Sequence, residues 1–387
     1  MARSATISCA RPKSAPGDPL AHHGIATTTD GVAAGVDRTV DVVVIGVGQA
    51  GLSAGYFLQR RGFVPGSGYV MLDHSAGPGG AWQHRWPSLK LGTTNHVHDL
   101  PGLALDSDQL DIAAAEVVPS YFARYENHFA LPVRRPVTVT AVRPDGAGLL
   151  VSSDHGDYHT RAVINATGTW ERPFWPHYPG AATFTGRQLH TADYRGAEEF
   201  RGHHVLVVGS GISAVQLLDE ISQVTATTWV SRRPPVFSQA QFSPEAGRAG
   251  VAVVERRVRA GQPPGSVVSV TGLMLTPALR AARDRGVLHR LPIFSRIVPT
   301  GVAWDTGATV SVDVILWCTG FRSALEHLAP LHLREAGGGI RMTGRLATRV
   351  TVEPHLHLLG YGPSASTIGA NRAGRAAVQE IDALLRD

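Results

Sequence analysis

Cysteine is nearly absent: Cys9 and Cys318 are the only two among 387 residues. A disulfide framework and a C-x-x-C redox pair are both excluded, which argues against a dithiol reductase and leads us to expect a reducing, cytoplasmic setting. Lysine is as scarce, with only Lys13 and Lys90, so arginine carries almost all of the positive charge behind the net +5. That excess reads either as compositional bias or as attraction for phosphorylated cofactors. The basic residues form no long run and have no interleaved aromatic platforms, so no nucleic-acid partner is expected. No apolar run approaches the ~18 residues a membrane span needs, and no membrane partner is expected. The first forty residues contain no apolar signal-peptide core and read as a flexible extension or a mis-assigned start. Among 18 histidines, the pairs His22/His23, His203/His204 and His355/His357 lack carboxylate or cysteine partners at metal spacings, so no metal site is expected. No nucleophile elbow stands out either.

Glycine, at 43 residues, is abundant, and 43% of the chain is hydrophobic, enough for a large core or two domains sharing an interface. The stretch "TVDVVVIGVGQAGLSAGYFLQRRG" opens with the apolar run Val40 to Ile45, the pattern of a parallel strand buried on both faces. Gly46, Gly48 and Gly51 then complete G-x-G-x-x-G, with Gln49 and Ala50 inside it, and a helical stretch runs through Gln59. Strand, glycine turn and helix make a dinucleotide cradle. The first glycine permits the tight turn, the second admits the pyrophosphate, and the third lets helix and strand pack closely. "GYVMLD" is a second strand ending at Asp73, a carboxylate suited to a ribose diol.

The pattern recurs at "HHVLVVGSGISAVQLLDEIS". Gly209, Ser210, Gly211, Ile212, Ser213 and Ala214 give G-x-G-x-x-A, and the next strand, "ATTWVSRR", ends in Arg232 and Arg233 instead of an acid. Guanidinium forks match a phosphate, so this cradle suits NADP rather than NAD. One acid-tipped and one arginine-tipped cradle imply two dinucleotides, FAD and NADP(H).

Two further apolar runs end in Thr-Gly: "RAVINATGTW" at Thr167 and Gly168, and "DVILWCTGFR" at Thr319 and Gly320. Such exits fit places where the chain leaves one domain for another. The expected fold is α/β, with two doubly wound Rossmann-like domains and the NADP domain inserted into the FAD domain. The expected division is a flexible extension over 1–38, FAD-binding parts over 39–170 and 311–387, and the NADP-binding domain over 171–310. "LHLLGYGPSASTIGANRAGRAAVQEIDALL" supplies a strand, Gly360 and Gly362, and a closing helix whose N-terminus is expected to face the flavin. In "GPGGAWQHRWPSLKLGTTNHVHDLPG", Gly79, Gly80 and Trp82 read either as cover for the cofactor or as a loop with its own small core.

Together these residues resemble the flavin-containing monooxygenase group of flavin-dependent monooxygenases, from about residue 40 to the end. "GGAW" follows the acidic strand end closely. "FTGRQLHTADY" carries Phe184, Gly186, His190 and Tyr194 and fits the group's fingerprint F-x-G-x-x-x-H-x-x-x-F/Y at every defined position, and "CTGF" fits its second exit. The resemblance implies that His190 lies in a segment joining the two domains and fixing NADP over the flavin, where neither helical nor strand periodicity is expected. It implies an enzyme using NADPH, O2 and a small-molecule substrate, a nitrogen or sulfur nucleophile, through a flavin hydroperoxide. It also implies an Asn beside the flavin, for which "LGTTNHV" offers Asn95. The neighbouring Baeyer–Villiger group ends its fingerprint in Trp and has Asp where "RWPSLKLG" has Gly92, and both departures favour heteroatom oxygenation. An NADPH-dependent flavin or quinone reductase, a Baeyer–Villiger-type enzyme and a non-catalytic dinucleotide sensor stay open as alternatives.

Overall fold

Alternate residues of the first apolar run face opposite ways, and each side finds a core. In the computed structural model, which describes residues 38–94, 96–238, 244–265 and 272–386, strand β1 (Arg38–Ile45) turns Val42 and Val44 into one cluster. Val43 and Ile45 turn into another on the opposite side. A strand buried on both faces needs parallel neighbours covered by other elements. β1 pairs in parallel with β2 (Tyr69–Leu72) and with β6 (Gly156–Asn165). β2 pairs with β3 (Val133–Arg134), and Leu356–Leu358 pairs with β6, again in parallel. An antiparallel hairpin, β4 (Val139–Asp145) and β5 (Gly148–Ser153), adds to β6 and completes a nine-stranded mixed sheet together with Met342–Thr343 and Arg349–Val350.

Helix α1 (Gln49–Arg60) packs on this sheet, and the helix Thr367–Arg386 packs on α1. Their approach is close: a Cβ on Gly374 would stand 2.7 Å from Ser53 Oγ and 3.0 Å from Ala54 N. Helix α2 (Ala114–His128) buries Val117, Val118, Tyr121, Phe122 and Tyr125 into the same cluster.

A second parallel sheet of five strands runs Arg290–Pro292, β9 (Thr227–Ser231), β8 (Val205–Val208), Val314–Trp317, β7 (Arg187–His190). Helix α3 (Ile212–Ile221) packs against β8 and β9 through Leu217, Leu218 and Ile221. Two expectations are corrected here. Val314–Trp317 was expected in the returning part of the first domain, but it lies between β8 and β7 in the second sheet. An apolar run states that a strand is buried, not which sheet takes it. The fingerprint segment, expected to lack periodic structure, contributes the edge strand β7, with Leu189 and His190 buried. The mixed α/β architecture with parallel sheets is as expected.

Candidate functional site: two cradles joined by paired connectors

Strand register gathers the predicted residues. Ile45 is level with Leu72 and with Asn165, and Asn165 is level with Leu358. The residues that follow, Gly46, Asp73, Thr167 with Gly168, and Gly360, therefore emerge together at the carboxyl edge of the first sheet, where open parallel sheets bind ligands. In the second sheet Val208 is level with Val230 and with Trp317, and Trp317 with His190. Gly209, Arg232, Arg233, Thr319 and Gly320 thus emerge from one edge as well.

In the first cradle Gly46 has φ +90°, and a Cβ there would sit 2.6 Å from Ala166 O. A Cβ on Gly51 would overlap Gly46 O, so the third glycine is required by helix–turn contact. Gly48 caps α1, with Gln49, Ala50 and Gly51 in its first turn and no acidic residue there, which leaves backbone N–H groups and the positive helix end for an anion. Gly80, at φ +50°, faces Gly48 so closely that a Cβ would lie 3.0 Å from the Gly48 Cα. The two glycine backbones are in contact there, an approach that side chains on both would block. Gln49 Nε2 donates to Asn371 Oδ1 at 3.0 Å and His98 O at 3.1 Å, while its Oε1 is buried without a partner. Asp73 is 4% exposed and is already held: it accepts from Arg135 Nε at 3.0 Å and Ser75 N at 3.2 Å, and Arg135 also grips Glu126.

The second cradle repeats the design. Gly209 and Ser210 follow β8, and Gly211 caps α3, with Ile212, Ser213 and the buried Ala214 in its first turn and again no acid. Trp229 Nε1 donates to Gly209 O at 2.7 Å and holds the turn to the neighbouring strand. Arg232 and Arg233 are exposed directly beyond β9.

Two connectors join the sheets and run side by side. Phe174 N donates to Gly320 O, Arg322 N donates to Arg172 O, and Thr319 Oγ1 donates to Phe174 O at 2.5 Å. His190 is fully buried beneath them. Its Nδ1 accepts from Ala192 N at 3.2 Å, so Nε2 carries the proton and donates to Gly320 O at 3.1 Å. Burial presses its pKa below the ordinary value and keeps that tautomer neutral. Trp170 stacks on Phe321 at 5.0 Å, and Phe321 meets His190 edge-on at 4.9 Å. Asn95 lies outside the described residues. Trp82 sits on the short turn Gly80–His84 and packs against clusters belonging to both sheets, so it is not confined to a small core of its own loop.

Sequence reasoning missed a relay below Thr167. Asn165 Nδ2 donates to Thr167 Oγ1 at 3.0 Å, Thr167 Oγ1 donates to Ala324 O at 2.6 Å, and Asn165 Oδ1 accepts from His327 Nε2 at 2.7 Å. The partners stand 162 residues apart, so no local signal exists. Burial presses His327 down to about 4 from an ordinary 6.5. A histidine kept neutral by folding takes up its proton only on unfolding, so its contribution to stability is complete above pH 6.5 and is lost as pH falls toward 4. Buried His357 and His190 act in the same direction. Urea unfolding of His327→Gln is expected to lose about one proton's worth of the acid slope between pH 6.5 and 4, at most about 3 kcal/mol, while retaining an amide donor for Asn165. An unchanged slope contradicts the placement.

A hollow of ≈ 670 Å³ lined by Thr185, Arg187, Glu199 and His203 opens at the amino ends of the second sheet, away from every loop above. Among the described residues no group of His, Cys, Asp and Glu is placed to hold a metal ion, and no helix is long and apolar enough to cross a membrane.

The profile of the family described as "Pyridine nucleotide-disulphide oxidoreductase" matches residues 43–246, just over half of the 387 residues. The solved flavin-containing monooxygenase from Stenotrophomonas maltophilia is 39% identical, over 90% of this chain and 99% of that one, with a TM-score of 0.77. The chain belongs to the pyridine nucleotide-disulphide oxidoreductase family and, within it, to the flavin monooxygenases. Among curated relatives, an uncharacterized oxidoreductase CzcO of Bacillus velezensis is 29% identical over 51% of this chain and 56% of its own length. Senecionine N-oxygenase of Tyria jacobaeae is 25% identical over 75% of this chain and 60% of its own. The chain thus spans little more than half the length of these two curated relatives.

Proposed function

We propose that the chain is an NADPH- and O2-dependent flavoprotein monooxygenase that oxygenates a soft nitrogen or sulfur centre of a small substrate. FAD fits the first cradle: Gly46, Gly48, Gln49, Ala50 and Gly51 would hold its pyrophosphate, Asp73 its ribose, and Gly80, Trp82, Thr167, Gly168 and Gly360 its remaining length. NADP(H) fits the second, with Gly209, Ser210, Gly211, Ile212 and Ser213 at the pyrophosphate and Arg232 and Arg233 at the 2′-phosphate. Bound together, the two cofactors supply hydride transfer and oxygen activation. The chain's own part is to orient them and exclude water. His190, neutral and fixed in one tautomer, holds Gly320 and therefore the connector between the cradles. The division into a first domain, an inserted second domain and a return to the first belongs to the same proposal, with the return after Gly320.

The observation that carries this reading is the meeting of two glycine-cradle edges through connectors that pair directly with each other. The relatives named for N-oxygenation and for flavin monooxygenation support it. The test follows NADPH and O2 together with a tertiary amine or thioether. Equimolar consumption with formation of the N- or S-oxide is expected. An undiminished rate without oxygen, with a quinone as acceptor, contradicts oxygenation and favours the reductase alternative.

A further inference from the structure

The turn Gly80–His84 ends beside a cation that no described residue neutralises. The Arg85 guanidinium carbon lies over two indole rings, 5.6 Å from the centroid of Trp82 and 5.0 Å from that of Trp170. Its Nε is buried and has no hydrogen-bond partner. Among the described residues no carboxylate pairs with it. Glu171, next to Trp170, turns to His74 at 3.3 Å, and Glu326 is taken by Arg172 at 3.0 Å. Other arginines with little or partial exposure do have such partners: Arg135 pairs with Asp73 and Glu126, Arg61 with Asp382 and Arg285 with Asp219.

Burial of a charge is unfavourable unless it is paired, and it presses the Arg85 pKa below its ordinary value. The indole faces return part of that cost by cation–π attraction but accept no conventional hydrogen bond. A guanidinium has five N–H donors in a rigid fork shaped for two oxygens of one anion. The position says where that anion comes from. Trp82 follows Gly80, which faces Gly48 in the first cradle. Trp170 stacks on Phe321, next to Gly320 in the second connector. Arg85 therefore stands where the two cradles meet.

We propose that Arg85 is an oxyanion receptor, walled by Trp82 and Trp170, that takes the carboxylate of a small organic substrate or a phosphate of a bound dinucleotide. This deepens the functional reading above, which supplies the two dinucleotides, but the anion site stands on Arg85 and its walls alone.

The test is calorimetric titration of the full chain as purified, wild type against Arg85→Met and Arg85→Lys, with benzoate, benzamide, inorganic pyrophosphate and NADP. Arg85→Met keeps an apolar stem between the indoles, and Arg85→Lys keeps the charge without the fork. Arg85→Met is expected to weaken oxyanion binding about 10- to 100-fold, with Arg85→Lys between it and the wild type. A loss for benzoate with none for benzamide or NADP identifies a carboxylate site. A loss for NADP and pyrophosphate alone identifies a phosphate site. Equal binding of all four probes by wild type and Arg85→Met, or binding of none by the wild type, overturns the proposal. If Arg85→Met fails to fold, the same comparison is read from Arg85→Lys. The visible spectrum of the same samples reports flavin separately, so colourless protein that still binds benzoate through Arg85 contradicts the dinucleotide reading and leaves the anion site in place.

Discussion

Gly51→Ala is expected to purify with little or no flavin and to melt several degrees below the wild type. The added methyl would overlap Gly46 O and stand 3.0 Å from Gly46 C and 3.6 Å from Val44 Cγ1. The turn cannot retreat, because Gly46 at φ +90° already abuts Ala166. Helix α1 must move instead, and overpacking of this kind costs about 1–3 kcal/mol. The same movement shifts the helix N-terminus and Gly48 relative to Gly80, and with them the backbone proposed to hold the pyrophosphate. Gly211→Ala is the matched control. Gly211 has φ −91° and nothing within 4 Å of where a Cβ would stand, so alanine there leaves the fold intact and acts only where NADPH would approach. A fully yellow Gly51→Ala protein with unchanged melting contradicts the close packing at the first cradle.

Replacing Arg232 and Arg233 together with glutamine is expected to weaken NADPH binding on the order of 100-fold and to leave NADH binding nearly unchanged. A charge-assisted hydrogen bond contributes about 1.5–3 kcal/mol, and both side chains are exposed, so the lower figure applies to each. Their backbone is held by side chains. Ser231 Oγ donates to Arg233 O at 2.8 Å, and Arg290 Nη1 donates to Ser231 O at 2.9 Å, bringing a third guanidinium to the same strand end. Dissociation constants for the two nucleotides, measured by quenching of protein fluorescence, check the expectation. Equal losses for both remove these arginines from the 2′-phosphate.

Both cradles were legible because their grammar is local: a buried strand, a glycine turn and a helix start occupy about fifteen consecutive residues each. The closing strand and helix, Leu356–Leu358 and Thr367–Arg386, were legible for the same reason. Pairing across the chain was not. Val314–Trp317 reads equally well as a strand of either sheet, and β7 is an edge strand of four residues with Arg187 facing solvent. The grip of Arg135 on Asp73, the Asn165–His327 relay and the indoles around Arg85 each join residues far apart in sequence. Arg85 follows the "GGAW" turn closely, yet nothing in its spacing separates an arginine between two distant tryptophans from a solvated one.

The visible absorption spectrum of the purified protein, recorded without oxygen while NADPH is added, tests the central claim most directly. The account predicts bound oxidised flavin that NADPH bleaches at far lower concentration than NADH and that colours again when air is admitted. A protein that stays colourless after FAD is supplied, or a yellow one that NADPH leaves unbleached, contradicts it.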